Sequence, residues 1–189
     1  VEPARDAVAK ARHHHGQCDG QREAGDDTGH GHRRCLALVV RARLRREERL
    51  RARVIGAWRP LLTRVAIEEG GAPALPALRR RELPFVLEEW NALQDAVRGA
   101  STERLNTLAP GLGFDVVARR GLQSRGISER ILAIRTLGHL RDPSAWKPLQ
   151  EQLADANALV SFYAAAALVQ IDAPRAMPGI MLQLAERES

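Results

Sequence analysis

ILAIRTLGHLRDPSAWKPLQEQLAD (131–155) and FYAAAALVQIDAPRAMPGIMLQLAE (162–186) decide the fold, because the second repeats the first thirty-one residues later. At that shift Ala133 falls on Ala164, Leu137 on Leu168, Pro143 on Pro174, Ala145 on Ala176, Gln152 on Gln183 and Leu153 on Leu184. Leu140 on Ile171 and Leu149 on Ile180 agree in kind. One helical hairpin cannot bury its apolar face without neighbours, so self-similarity at this period marks a stacked array of hairpins. Asp142 before Pro143 opens a helix, since proline is tolerated where the N–H has no helical partner, and Asp172 with Pro174 repeats the signal one residue looser. Ser128 and either Asp155 or Asn157 are the expected caps of the helices between. The run Ala164–Ala167 keeps side chains small where a neighbouring helix has to come close.

Outward from this pair, composition favours helix throughout: aromatic residues make up 4% of 189, and Ala, Leu and Arg dominate. PFVLEEWNALQDAVRG (84–99) reads as a helix with Pro84 in its first turn and Gly99 just past its end. Ser101 is the expected cap of TERLNTLA, which ends at Pro110; the linker PGLG leads to a short helix over 114–124. The stretch 68–80, with Gly70, Gly71, Pro73 and Pro76, is expected to be a loop and a short helix. Trp58, Trp90 and Trp146 each fit an apolar stripe and are read as core anchors rather than stacking platforms.

Charge is unevenly placed. The formal net charge is +6, yet residues 33–64 carry 11 Arg against 2 Glu, whereas 65–189 carry 14 basic against 15 acidic residues. Within the basic stretch Leu36, Val39, Val40, Leu44, Leu50, Val54 and Trp58 recur at helical intervals. This predicts a basic amphipathic helix of about 20 residues that ends near Trp58 because of Pro60, with Glu47 and Glu48 pairing to Arg51 and Arg53 along it. Three readings compete for it: a membrane-surface segment drawn to anionic lipid, a nucleic-acid contact, and a solvated helix whose Arg stems cover apolar surface. The apolar flank LALVV (36–40) and the lack of basic excess over the repeats favour the first, with Arg41, Arg43, Arg45, Arg46, Arg49, Arg51 and Arg53 as the anionic-surface contacts.

Residues 1–34 hold almost no bulky apolar side chain after Val8 and are expected to be a disordered tail; a start site read too far upstream would give the same composition. Its His13, His14, His15, Cys18, His30 and His32, with the adjacent Cys35, are ligand types that suit zinc or nickel, but no turn-bounded apolar module accompanies them, so no metal site is assigned. Two cysteines in this region point to no disulfide framework and to a reducing compartment. No run of about 18 apolar residues spans a bilayer. Glu68/Glu69 and Glu88/Glu89 are sequence neighbours that do not face each other on a helix, GLGFD (111–115) lacks the strand and third glycine of a phosphate loop, and His139 lies on the polar side of its helix with no nucleophile at a suggestive spacing. No catalytic residue and no cofactor is assigned.

In the first copy Arg130, Ala133, Thr136, Leu137, Gly138, Leu140, Asp142 and Pro143, and in the second Val160, Ala164, Ala165, Ala167, Leu168, Ile171 and Asp172, resemble bacterial HEAT repeats related to the phycobiliprotein-lyase repeats. The second copy departs from that pattern at Ser161 and Val169. More loosely, AWRPLL, FVLEEWNALQDAVRG, ARRGLQSR and LAIRTLGHLRD resemble a group of bacterial HEAT-repeat proteins with one membrane helix followed by an Arg-rich cytoplasmic segment, which would make LALVV the surviving end of an anchor.

The resemblance implies an all-α fold: a short α-solenoid of about three HEAT-type hairpins over 67–189, preceded by the basic, juxtamembrane-like helix at 35–66 and the tail at 1–34. It also implies a groove lined by Arg130, Arg135, His139, Ser161, Tyr163 and Gln170 that binds an unidentified protein partner. The function expected is a non-catalytic interaction scaffold in the cytoplasm, peripheral to or tethered at the inner membrane. The alternative is a HEAT-like nucleic-acid-binding protein or DNA glycosylase/lyase-type enzyme; the balanced charge of 65–189 argues against its cationic groove.

Overall fold

The structure is a computed structural model that describes residues 27–68 and 73–187, with side chains from 37 to 68 and 73 to 185. Every regular element among them is helical: α1 (Asp27–Ile67), α2 (Leu83–Ala96), α3 (Ala100–Asn106), α4 (Ala109–Leu112), α5 (Phe114–Gly121), α6 (Ile127–Leu140), a 3₁₀ turn (Pro143–Ala145), α7 (Trp146–Leu153) and α8 (Ala158–Arg187). Chain contacts divide the protein into Val1–Leu44 and Arg45–Ser189. Of the first unit the described part is the start of α1, which leaves Leu38, Val39, Val40 and Leu44 exposed. The tail residues 1–26, and the side chains of the His/Cys set read there, lie outside the described residues.

Two apolar clusters build the second unit. In one, Val54, Trp58, Leu62 and Ala66 of α1 close on Val86, Leu87 and Trp90 of α2, with Leu105 and Phe114 beneath. In the other, Ala133, Ile134 and Leu137 of α6 meet Leu149 of α7 and Val160, Ala164 and Leu168 of α8. All three tryptophans are buried, at 2%, 0% and 8% exposure for Trp58, Trp90 and Trp146. Polar bonds stitch α2 and α3 to α6. Asn91 Nδ2 donates to Leu87 O (2.9 Å) and to Thr136 Oγ1 (2.8 Å), and Asn106 Nδ2 donates to His139 O (2.9 Å).

The small-residue signal matches a close approach. A Cβ added at Gly138 would lie 2.8 Å from Ala167 Cβ and 2.9 Å from Ala167 Cα, and one at Gly121 would lie 2.9 Å from Ala133 Cβ. The Asp-Pro signal is also realised: Asp142 accepts from the Ser144 N–H at 2.8 Å and starts the 3₁₀ turn. Asn157 caps α8 through the N–H groups of Leu159 and Val160. Asp172 is the one non-helical residue inside α8 (φ −156°, ψ 94°), and its side chain caps the resumed helix by accepting from the Arg175 N–H at 3.1 Å. Arg141, which ends α6 in a left-handed conformation, falls on Asp172 at the repeat shift, so the two copies break at equivalent positions.

Several boundaries differ from those expected. The basic helix does not stop near Trp58. It runs 41 residues from Asp27, inside the stretch expected to be a tail, and passes through Pro60, because Leu62, Val65 and Ala66 beyond it are buried and offset the lost hydrogen bond. Residues 73–79 form no helix. PGLG is not a linker but contributes to α4, which Gly113 ends in the left-handed region. Gly99 (φ 64°) precedes α3, and Gly126 rather than Ser128 precedes α6.

Candidate interaction pocket

Helix periodicity brings three elements to one place. Arg135 and His139 stand one turn apart on α6, Tyr163 and Gln170 two turns apart on α8, and Asp95 in the last turn of α2. With Ala166 and Ala167 they line a cavity of about 260 Å³. A second depression of about 230 Å³ shares Asp95, His139 and Gln170 and adds Gln94, Arg98, Thr102 and Arg141.

Asp95 is the hub. Its Oδ2 accepts from Arg135 Nη2, and its Oδ1 lies 3.1 Å from His139 Nε2. That second contact is an ion pair only when the imidazole is protonated. Arg135 Cζ stands 6.0 Å from the Tyr163 ring centroid, at the outer limit of a cation–π contact, and Phe162 meets Tyr163 edge-on at 5.5 Å.

His139 lines the pocket as a largely buried side chain. It is 7% exposed, packed edge-on to Trp90 at 6.0 Å, and Trp90 is itself pinned by Nε1 donating to Leu105 O at 3.1 Å. Burial, the largest influence, holds the imidazole pKa below its ordinary 6.5; Asp95 opposes this, while Arg135 and Arg141 push the same way. The pocket therefore presents a neutral imidazole near neutral pH, a carboxylate already engaged by Arg135, a phenol, an amide and the free donors of the guanidinium. That inventory suits hydrogen bonding to a polar chain.

Of the expected groove residues, Arg135, His139, Tyr163 and Gln170 come together here, and Arg130 and Ser161 do not. Arg130 Nη1 donates to Asp155 Oδ2 at 2.6 Å, tying the start of α6 to the α7–α8 turn. Ser161 is buried and donates to Leu153 O at 2.6 Å; two residues before Tyr163, it points to another side of α8. Asp95 carried no sequence signal, being 40 residues from its Arg partner on a helix outside the repeat. No family model matches this chain, and no curated protein or solved structure matches it.

Arg41, Arg43, Arg45, Arg46, Arg49, Arg51 and Arg53 are all exposed. Arg51 pairs with Glu88 of α2 (2.9 Å), and Arg53 lies 4.0 Å from Glu82 just before α2, so these two do not pair with Glu47 and Glu48 of their own helix. Arg59 holds the buried Glu89 in a two-pronged bond. Among the described residues no helix is long and apolar enough to cross a membrane, and no group of His, Cys, Asp and Glu is placed to hold a metal.

Proposed function

We propose that the chain is a non-catalytic protein–protein interaction scaffold, a short α-solenoid of HEAT-type hairpins whose pocket at Asp95, Arg135, His139, Tyr163 and Gln170 receives an extended polar segment of a partner. The observation that carries this reading is convergence: polar and aromatic groups from three helices meet at one cavity, with small residues keeping it open. Burial supports the solenoid, since Ala133 and Ala164, Leu137 and Leu168, and Ala145 and Ala176 are buried at equivalent positions of the two copies. An extended segment offers alternating N–H and C=O groups, which the Gln170 amide, the Tyr163 hydroxyl and the remaining Arg135 donors can satisfy. The exposed arginines of α1 support a location at the anionic inner face of a bacterial membrane.

A photo-crosslinking residue in place of exposed Gln170 tests the pocket in cells. A discrete crosslinked species is expected, and it should vanish with Arg135→Ala plus Tyr163→Phe while the melting temperature stays within a few degrees. The same crosslinks in the double variant would remove the pocket from consideration, and a collapse of the melting temperature would make these residues structural.

A further inference from the structure

A second cavity, of about 270 Å³, is lined by Arg46, Arg49, Leu50, Arg53 and Arg81. Arg46, Arg49 and Arg53 recur at i, i+3 and i+7, so they form a row along one face of α1, and Leu50 between them is half-buried and supplies an apolar floor. Arg81 comes from elsewhere in the chain, the turn that precedes α2. We propose that these four guanidiniums form a discrete site for a phosphomonoester dianion, either free or as the headgroup of an acidic lipid.

Three observations carry it. Two of the nearby carboxylates are engaged outside the cavity, Glu88 with Arg51 and Glu89 with Arg59, and the third, Glu82 just before α2, reaches the lining only at Arg53, 4.0 Å away, while also accepting from the Arg79 N–H at 3.3 Å. Arg46, Arg49 and Arg81 have neither an ion pair nor a hydrogen bond among the described residues. Four like charges with a single carboxylate at their edge repel one another, and a bound dianion removes that repulsion. The donors are also of the right kind, because planar guanidinium forks match phosphate oxygens pairwise where an ammonium acts as a point charge. Finally, the lining contains no aromatic ring. A base therefore finds no stacking platform, which favours a phosphate group over single-stranded nucleic acid.

This proposal deepens the anionic-surface reading of α1 and rests on it, but the two fail differently. A diffuse basic surface responds to charge alone, whereas a built site distinguishes the phosphate's form and depends on Arg81, which lies off the basic helix. The full chain is floated with vesicles of phosphatidylcholine containing either phosphatidic acid, a monoester, or phosphatidylglycerol, a diester, at matched surface charge. The expected result is a preference for phosphatidic acid that Arg81→Gln weakens about tenfold, the loss of one charge-assisted donor, with an unchanged melting temperature. Arg81→Lys should also lose the preference, since it keeps the charge but not the fork. Competition by millimolar glycerol 3-phosphate indicates that free monoester fills the same site; preference without competition indicates a site that works at the lipid surface. Equal binding to the two vesicle types, or an Arg81→Lys chain indistinguishable from the wild type, overturns the site and leaves diffuse attraction standing. Arg81-dependent binding of a single-stranded oligonucleotide with none to either vesicle also overturns it.

Discussion

At position 139 a group that titrates near neutrality is held against Trp90 with only 7% of its surface exposed. Its charged neighbours are Asp95, Arg135 and Arg141, and burial outweighs the carboxylate, so the folded pKa lies below 6.5. Above 6.5 the imidazole is neutral in folded and unfolded chains alike. Below 6.5 the unfolded chain takes up a proton that the folded chain accepts only at lower pH, so stability falls as pH drops, and the loss levels off once the folded imidazole also titrates. Asp142 acts in a lower window: partial burial raises its pKa, but bonds from the Ser144 hydroxyl and N–H and from Arg119 outweigh this and hold it below 3.8. Its contribution is lost only as pH falls beneath that value. Thermal melts between pH 7.5 and 5 should therefore show a declining melting temperature, and His139→Gln should flatten the decline. A wild-type profile flat over that range would mean that the imidazole is not held neutral by its surroundings.

At the scale of the helix pair, α6 and α8 approach so closely that Gly138 sits against the Ala167 backbone. Two effects of Gly138→Ala oppose each other. Alanine is the better helix former by up to about 1 kcal/mol, but its Cβ would lie 2.9 Å from Ala167 Cα, an atom that moves only with the helix. Overpacking of this kind costs about 1–3 kcal/mol, so a net loss of stability is expected by chemical denaturation. A stabilised variant would mean that the helices can separate freely. Half of this approach was legible in the sequence, because the run Ala164–Ala167 is a local signal of small side chains; that Gly138 is what meets it depends on how α6 and α8 pack. The Asp142–Pro143 break was legible for the same reason, since an aspartate capping the next N–H groups needs nothing from the rest of the fold. Passage of α1 through Pro60 was not legible, because it depends on burial of Leu62, Val65 and Ala66 by helices distant in sequence.

At the scale of the whole second unit, what a local reading missed was pairing across elements. The excess charge of α1 is met in part by Glu88 and Glu89 of α2 and by Glu82 just before it, and the pocket depends on Asp95, a residue that no spacing rule connects to Arg135. The same long-range polar contacts hold the two apolar clusters together, since Asn91 reaches Thr136 and Asn106 bridges Gln94 Nε2 (2.6 Å) to the carbonyl of His139. Asn91 is fully buried, so Asn91→Ala withdraws a donor from Thr136 and is expected to lower stability by about 1–3 kcal/mol. Asn91→Ala with Asn106→Ala removes both amide bridges between the clusters while leaving the Asp95–Arg135 pair and each apolar core intact. Clusters linked mainly by such bonds should then lose cooperativity, so hydrogen exchange should proceed faster in α2 and α3 than in α6 and α7, or the reverse, where the wild type protects them equally. If both halves instead remain equally protected at a uniformly lower level, packing of Val117, Leu132 and Leu140 across the seam is what couples them, and the polar bonds specify register alone.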